Sequence, residues 1–327
     1  MVKKTVHFLV ILCLAAVAAM PAKAVDPAAG YPNAPVQYVI PFGSGGESDI
    51  VAKLQQPYFT ELTGQDLYIS RKPGGGGAVV WNELNNMRGD GYTIVGINLP
   101  HIVLQPVLGA RYKTSDITAV YIFHYTPDAI VVRQDSPFKT LNDLLKYART
   151  SSKQLVFSGS GQGTANELAK QQFDKMADIK TRYQAFKGTG ASVTALMLES
   201  VDASWGYLTI GLSYEDDVRV LAIATEKRHP KLPDVPTFRE LGFDLVGGAY
   251  RGIAVPKSTP KAIRARISDL FANINQNPKM RRAVEDLGFA PVDIPYKDVG
   301  KFVADKTEEY IKLAKEAGIV PAGPRPK

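Results

Sequence analysis

The chain of 327 residues is poor in the residue types that most often carry chemistry, with one cysteine, Cys13, and four histidines. Cys13 lies in an apolar run near the N-terminus, so the rest of the chain has no thiol chemistry and no disulfide, and its fold depends on core burial. The zinc motif His-Glu-x-x-His and the nucleophile motif Gly-x-Ser-x-Gly are both absent. These absences argue against a thiol enzyme and against two common kinds of hydrolase.

The first 24 residues have the three parts of a secretory signal peptide. Residues 1–4 are basic, an uncharged apolar run follows, and residues 22–24 read Ala-Lys-Ala, a small-residue cleavage site. The run is too short for a stable membrane anchor. A lipoprotein anchor on Cys13 is the alternative, but Leu12 stands where a lipidation site requires a small residue. We therefore predict a signal peptide over residues 1–24 and a periplasmic mature chain.

The mature chain has no strong charge bias. Loss of the leader removes three lysines and leaves 36 basic against 32 acidic residues, with no basic block of five or more. Nucleic-acid binding is therefore not expected. About 300 residues is more than one core usually serves, so we expect two domains.

One stretch near the mature N-terminus has the pattern of strand, glycine loop and helix. Residues 36–41 are a predicted strand, and a helix over residues 50–62 is predicted to open at Ser48 or Asp49. Such a junction presents unpaired N–H groups and the positive end of a helix dipole, which together favour an anion. An ordinary turn without a ligand is the alternative. The candidate ligand-binding residues of this loop are Phe42, Gly43, Ser44, Gly45, Gly46, Glu47 and Ser48.

Two later stretches repeat this pattern. The second follows a predicted strand over residues 155–157, and Thr164 with Glu167 forms a capping-box pattern that marks its helix start. The third, residues 187–192, begins with Lys187, which either balances ligand charge or is a solvated lysine. Three such loops that converge on one cleft favour a ligand site over three unrelated turns. The candidates in the second loop are Ser158, Gly159, Ser160, Gly161, Gly163, Thr164 and Ala165.

Two further segments have features of ligand contacts. Residues 74–77 are four glycines, which we interpret as a flexible turn before a helix over residues 78–87 rather than as another ligand loop. Leu99 and His101 follow a predicted strand over residues 92–97, at the edge where open α/β sheets bind ligands. His101 is a candidate ligand contact, with a capping or packing histidine as the alternative.

Strands that alternate with helices at this spacing predict a parallel, helix-covered sheet. The apolar runs 121–125 and 129–133 are interpreted as separate segments at a first crossing between domains, and residues 246–256 as the strand that crosses back. The predicted domains are residues 25–127 plus 252–327 and residues 128–251. The other predicted elements are strands over 67–71, 181–186, 201–207 and 218–224, helices over 141–148, 193–198, 262–275, 279–287 and 299–317, and a short helix ending the proline-rich segment 231–242.

Several motifs in a fixed order resemble the Bug family, the periplasmic substrate-binding proteins of tripartite tricarboxylate transporters. The resemblance extends over residues 36–320. Its motifs are Pro41 to Asp49, Lys72 to Gly76, Asp90 to Thr93, Ser158 to Thr164, Phe186 to Gly188 and Leu232 to Thr237.

This resemblance implies a type II periplasmic-binding fold, in which two α/β domains enclose a ligand cleft. It implies that loop 42–48 holds a carboxylate of a small organic acid, partly through waters, and that loop 158–165 holds the other end. The implied partners are the acid and the permease subunits of the transporter. No cofactor, metal or enzymatic activity is implied, and we expect a monomer.

The chain departs from the family pattern in its first loop, where it has Gly43-Ser44 and an acidic Glu47. A carboxylate beside an anion site repels a ligand carboxylate unless it points away, is protonated or meets a ligand donor. Arg251, which follows Tyr250 on the returning strand, either binds a second ligand carboxylate, pairs with Glu47, or serves a hinge or surface ion pair. The combination resembles the subgroup that binds di- or tricarboxylates such as citrate, malate or aromatic dicarboxylates. Tyr207, at the end of a strand, completes the candidates.

Two other functions are open at this point. A secreted enzyme that acts on a small carboxylate has only Glu47 and a neighbouring serine as a conceivable catalytic pair. A ligand-loaded partner of a membrane signalling protein would need a docking surface, for which the sequence has no recognisable motif.

Overall fold

The computed structural model describes residues 28–319. The predicted signal peptide lies outside the described residues. Within them, the strands are β1 (Val36–Ile40), β2 (Leu67–Arg71), β3 (Thr93–Leu99), β4 (Thr118–Arg133), β5 (Val156–Gly159), β6 (Arg182–Ala185), β7 (Ala203–Tyr207), β8 (Val218–Ile223), β9 (Gly248–Val255) and β10 (Ala290–Ile294). The α-helices are α1 (Glu47–Thr63), α2 (Ala78–Trp81), α3 (His101–Val107), α4 (Leu141–Thr150), α5 (Ala165–Ala177), α6 (Thr189–Met197), α7 (Leu208–Ser213), α8 (Lys261–Gln276), α9 (Pro278–Asp286) and α10 (Tyr296–Glu316).

The strands form two parallel half-sheets joined by two long strands. The order is β2-β1-β3-β9-β4-β7-β5-β6, and β8 and β10 also pair with β4. β1 is parallel to β2 and β3, and β5 is parallel to β6 and β7, whereas β9 and β4 are antiparallel to each other. The predicted architecture of two α/β units joined by two crossing strands is confirmed. We call the half built on β1–β3 the first lobe and the half built on β5–β7 the second lobe.

The predicted first crossing is present, and its two apolar runs belong to one continuous strand, β4. β4 pairs with β9 up to Pro127 and with β7 from Asp128 onward. Proline has no N–H to donate to a ladder. Pro127 therefore lies where the strand changes partners, and the chain continues from one lobe to the other without a break.

Each lobe has its own apolar core. The larger core includes Ile40, Val95 and Phe271 and lies between β1–β3 and the C-terminal helices. In the second lobe Trp205 stacks on Phe238, with 5.5 Å between the ring centroids. Separate cores allow the lobes to move as units about the strands that join them. The exact domain boundaries, which fall inside β4 and at β9, stay predictions.

The four-glycine segment is packed tightly between the lobes. All four glycines have positive φ, from +55° to +144°. A Cβ on Gly76 would lie 2.2 Å from the carbonyl oxygen of Gln162 in the second lobe. This approach requires a residue without a side chain. The segment is thus a contact between the lobes rather than a mobile turn.

Three helix predictions need correction. The helix over residues 78–87 is wrong, because only α2 and a short 3₁₀ turn form there. The segment 231–242 ends in turns and not in a helix. Helix α1 begins at Glu47, ahead of the predicted start, while Gly64 ends it in the left-handed conformation as expected. Within residues 28–319, no helix is both long and apolar enough to cross a bilayer.

Candidate functional site

A small enclosed cavity lies where the two lobes and the crossing strands meet. Its lining comes from the carboxyl ends of strands β1, β3, β5 and β7, from the start of α6 and from β9, which is where open α/β sheets bind ligands. The enclosed space is about 10 Å³, room for about one water molecule. The lining residues are Phe42, Gly46, Glu47, Ser48, Asn98, His101, Ser160, Thr189, Tyr207 and Arg251.

The first loop is held by Asp49, which turns back onto it. Asp49 accepts hydrogen bonds from the N–H of Gly45 (3.0 Å) and the hydroxyl of Ser44 (3.3 Å) and forms ion pairs with Arg71 and Lys53. Burial acts to raise the pKa of Asp49, but the Gly45 N–H and the two cations outweigh it and lower that pKa. Asp49 therefore fixes the loop as an ionised carboxylate.

With Asp49 occupying the middle of the loop, the N-terminus of α1 stays open toward the cavity. Gly46 caps this helix without any side-chain bond. Among the described residues, the N–H groups of Gly46, Glu47 and Ser48 have no hydrogen-bond partner. Open N–H groups at a helix N-terminus favour negative charge.

Glu47 points across the cavity to the second lobe. Its Oε2 accepts from the hydroxyl of Thr189 at 2.6 Å, and its Oε1 accepts from the hydroxyl of Thr209 at 2.9 Å. Thr189 begins α6 and Thr209 lies in α7. The Glu47 carboxylate thus connects α1 of the first lobe to two helices of the second.

Arg251 approaches the same carboxylate from the crossing strand. Its Nη2 lies 3.6 Å from Glu47 Oε2, and both side chains are at most 6% exposed. Its Nη1 donates to the hydroxyl of Thr126 and to the carbonyl of Ala249, and its guanidinium lies 4.8 Å from the ring centroid of Tyr207. Of the alternatives for Arg251, pairing with Glu47 is the one that the structure contains.

Four buried polar atoms at the cavity have no hydrogen-bond partner among the described residues. They belong to side chains that are at most 2% exposed. Native proteins rarely leave such groups unpaired, and unpaired groups that meet at one place indicate a ligand site. The atoms are Asn98 Oδ1, His101 Nδ1, the Tyr207 hydroxyl and Arg251 Nε.

His101 and His124 are neutral at physiological pH. Burial and the neighbouring Arg251 lower the pKa of His101 to about 3, and they lower the pKa of His124 well below its usual value. Neither ring adds positive charge to the site. No group of three or more metal-ligating side chains occurs among residues 28–319.

The structure brings part of the predicted set together. The cavity is lined by these predicted residues: Phe42, Gly46, Glu47, Ser48, His101, Ser160, Tyr207 and Arg251. Their contact with a ligand stays a prediction.

The other predicted residues from the first lobe and the third loop lie away from this cavity. Gly43 donates its N–H to the carbonyl of Lys187 at 2.8 Å, so both make a contact between the lobes. Ser44 and Gly45 bind Asp49 as described above. Leu99 is fully buried in the core of the first lobe.

Most of the second loop bonds within its own lobe. The Glu167 carboxylate accepts from the N–H of Gly163, and the Thr164 hydroxyl donates to Gly161, so the predicted capping box does not form. Ser158 bonds with Ser192. A Cβ on Gly159 would lie 2.1 Å from the Tyr183 hydroxyl.

Ala165 and Tyr250 line a separate cavity of about 160 Å³. Asp128 also lines it and accepts a hydrogen bond from Asn166 at 2.9 Å. Burial raises the pKa of Asp128 to about 8, although Asn166 and Arg251 act in the opposite direction.

Sequence reasoning missed Asn98, Thr189 and Thr209. Asn98 stands directly before the predicted Leu99, and the side-chain alternation of a strand would have placed the two on opposite faces. Thr189 follows a glycine and begins a helix, a pattern that could have been recognised in the sequence. Thr209 lies in a short helix without a sequence signal, and only the tertiary fold brings it to Glu47.

The family model described as TctC, tripartite tricarboxylate transporter family receptor, matches residues 51–319. A UPF0065 protein from the tcbD-tcbE intergenic region of Pseudomonas sp. (strain P51) is 27% identical over 295 residues, which cover 88% of this chain and 87% of the relative. Two solved structures from Rhodopseudomonas palustris are similar in fold. MatC with bound malate has a TM-score of 0.79 at 24% identity, covering 86% of this chain and 99% of its own. Rpa4515 with adipate has a TM-score of 0.83 at 25% identity, covering 88% and 98%.

Proposed function

Because the chain belongs to the TctC family of tripartite tricarboxylate transporter receptors, we propose that it captures a small organic acid between its lobes and delivers it to the membrane subunits of such a transporter. The family consists of periplasmic substrate-binding receptors, so the prediction that the chain is not an enzyme is confirmed. The finer prediction, a di- or tricarboxylate ligand, is supported by the malate and adipate bound to the two similar structures.

The observation that carries this proposal is the set of buried, unpartnered polar atoms at the junction of the lobes. Asn98 and His101 belong to the first lobe, Tyr207 to the second, and Arg251 to the crossing strand. A ligand that bonds to all three parts is held best when the lobes are closed. Binding therefore increases the population of the closed form, the form that the membrane subunits would recognise.

The space now enclosed is too small for an organic acid, so loading requires the lobes to separate. Movement about β4 and β9 leaves most of each core intact, because Leu168 of α5 is the one residue of the second lobe's helices that packs into the larger core among the described residues. Glu47 must release Thr189 and Thr209 during this movement. Opening therefore costs two hydrogen bonds to a charged group, each worth about 1.5–3 kcal/mol, and these bonds form again when the lobes close on the ligand.

Thermal unfolding of residues 25–327 with mono-, di- and tricarboxylates and amino acids tests the proposal. An acid at about 100 times its dissociation constant adds about 2.7 kcal/mol to the free energy of unfolding, which should raise the midpoint by several degrees. The neutral amide of the same acid is the matched control and should have no effect. If no acid raises the midpoint, and native mass spectrometry finds no ligand retained through purification, the proposed function is wrong.

A further inference from the structure

The cavity contains two formal charges, and they are opposite. Among its lining residues only Glu47 and Arg251 carry charged side chains, both more than nine-tenths buried. His101 adds no charge, since burial and Arg251 lower its pKa to about 3. The lining therefore has no net charge before a ligand arrives.

Glu47 is held in the cavity as a hydrogen-bond acceptor. Both of its oxygens accept hydroxyl hydrogen bonds, from Thr189 and Thr209, and a guanidinium lies 3.6 Å away. This is the environment of an ionised carboxylate. Two helices of the second lobe fix its position, so it does not swing out to solvent while the lobes are closed.

The unpartnered groups around Glu47 include both hydrogen-bond donors and hydrogen-bond acceptors. Arg251 Nε and the N–H groups at the start of α1 are donors, whereas Asn98 Oδ1 is an acceptor. A carboxylate accepts hydrogen bonds and never donates them when ionised. A site built for two or three carboxylates needs donors throughout, and this cavity presents an acceptor and a negative charge beside its donors.

Charge balance leads to the same conclusion. A dicarboxylate would bring two negative charges to a buried site where the single cation already faces Glu47, and uncompensated buried charge is strongly unfavourable. A ligand with one carboxylate and one protonated amine leaves the site neutral, because each ligand charge meets its opposite.

We propose that the cavity selects a zwitterionic acid, with Glu47 and Asn98 binding the protonated amine and Arg251 with the N-terminus of α1 binding the carboxylate. This inference rests on the proposed function and specifies its substrate class. Glu47 is the residue that determines specificity for the amine, and it is the departure from the family pattern noted in the sequence.

Matched ligand pairs test this selection by isothermal titration calorimetry on residues 25–327. In the pair methylmalonate and L-alanine, an amine replaces one carboxylate. In three further pairs an aminomethyl group replaces it, which keeps the length of the molecule nearly constant: succinate and 4-aminobutanoate, glutarate and 5-aminopentanoate, adipate and 6-aminohexanoate. In each pair of which a member binds, the amino acid should bind the wild-type protein at least about tenfold more tightly than the diacid, a difference of about 1.4 kcal/mol.

The variant Glu47→Gln should weaken binding of the amino acid at least tenfold and raise the relative affinity for the diacid. Glu61→Gln, at an exposed position on the same helix, should leave the ratio unchanged. The wild-type ranking needs no variant, so the test stands even if Glu47→Gln fails to fold. If diacids bind the wild type at least as tightly, or if only polycarboxylates bind, the inference is overturned and the receptor function stands. If no acid of either kind binds, the receptor function itself fails.

Discussion

The loops that follow β1 and β5 share a composition and differ in the contacts that they make. Both are glycine- and serine-rich, and both lead into a helix. Within the first loop, Asp49 binds Gly45 and Ser44, and Gly46, Glu47 and Ser48 at the start of α1 line the small cavity. In the second loop, the Asn166 side chain accepts a hydrogen bond from the N–H of Ser160, and the Glu167 carboxylate accepts one from the N–H of Gly163. Neither helix start has a side-chain cap bond, so the two differ in place: α1 begins at the small cavity, whereas Ala165 at the start of α5 lines the separate one.

The second loop instead contributes to the contact between the lobes. Gln105 of α3 donates to the carbonyl of Gln162, and Gly76 approaches the same carbonyl. Of this loop, only Ser160 reaches the cavity. The other second-lobe residues at the cavity are Thr189 of α6 and Tyr207, so we expect these to hold the ligand end that the resemblance assigned to loop 158–165.

Among substitutions that act on one loop and not on the other, Arg251→Ala should lower the free energy of unfolding the most. It leaves Glu47 buried without its cation, and the loss of one partner from a buried pair costs about 3–5 kcal/mol. Chemical denaturation measures this change in the free energy of unfolding. Arg88→Ala is the control, because the Arg88 side chain is 88% exposed in its ion pair with Asp90 and should matter by less than about 0.5 kcal/mol. Equal effects of the two substitutions would show that the Glu47–Arg251 pair is not buried as described.

Replacing the carboxylates that close the loops, Asp49 and Glu167, should change the free energy of unfolding by less. The two changes should depend on pH in opposite directions. The pKa of Asp49 is lowered, so its stabilisation is present above the unfolded value of about 3.9 and is lost as the pH falls through the folded value. Asp49→Asn should therefore be destabilising at neutral pH, and its deficit should shrink below about pH 4. Urea unfolding at a series of pH values measures this.

Burial raises the pKa of Glu167, although the Gly163 N–H and Lys170 act against it. The unfolded chain then releases this proton more readily, so stability falls as the pH rises from the unfolded value of about 4.3 through the folded one. Glu167→Gln should remove that decline, and its stability relative to the wild type should improve as the pH rises. Parallel pH trends for Asp49→Asn and Glu167→Gln would contradict the difference between the loops.

Local patterns in the sequence predicted most of the fold. The glycine loops, the C-cap at Gly64 and the alternation of strands with helices each depend on neighbours in the chain, and the structure contains them. The errors occur where distant contacts decide the outcome. Residues 78–87 read as one helix, but the glycines before them pack against Gln162 of the second lobe, and only α2 and a 3₁₀ turn form.

In the candidate site, too, some residues could be predicted from the sequence and others depend on distant contacts. Glu47 was singled out because it departs from the family's first-loop pattern, and Arg251 because it lies on the strand predicted to cross back between the domains. Thr189 and Thr209 were not, since a threonine hydroxyl gains its role only when the second lobe closes on Glu47. Hydrogen bonds between residues more than 140 positions apart have no local signal.

The central claim is that a ligand binds at the start of α1 and not at the start of α5. Heteronuclear NMR of the ¹⁵N-glycine-labelled protein tests it most directly, with the acid that raises the unfolding midpoint most. We predict a large shift of the Gly46 amide signal, which is open to the cavity, and little change at Gly163, whose N–H is bound to Glu167. A large shift at Gly163 with Gly46 unchanged would contradict the account.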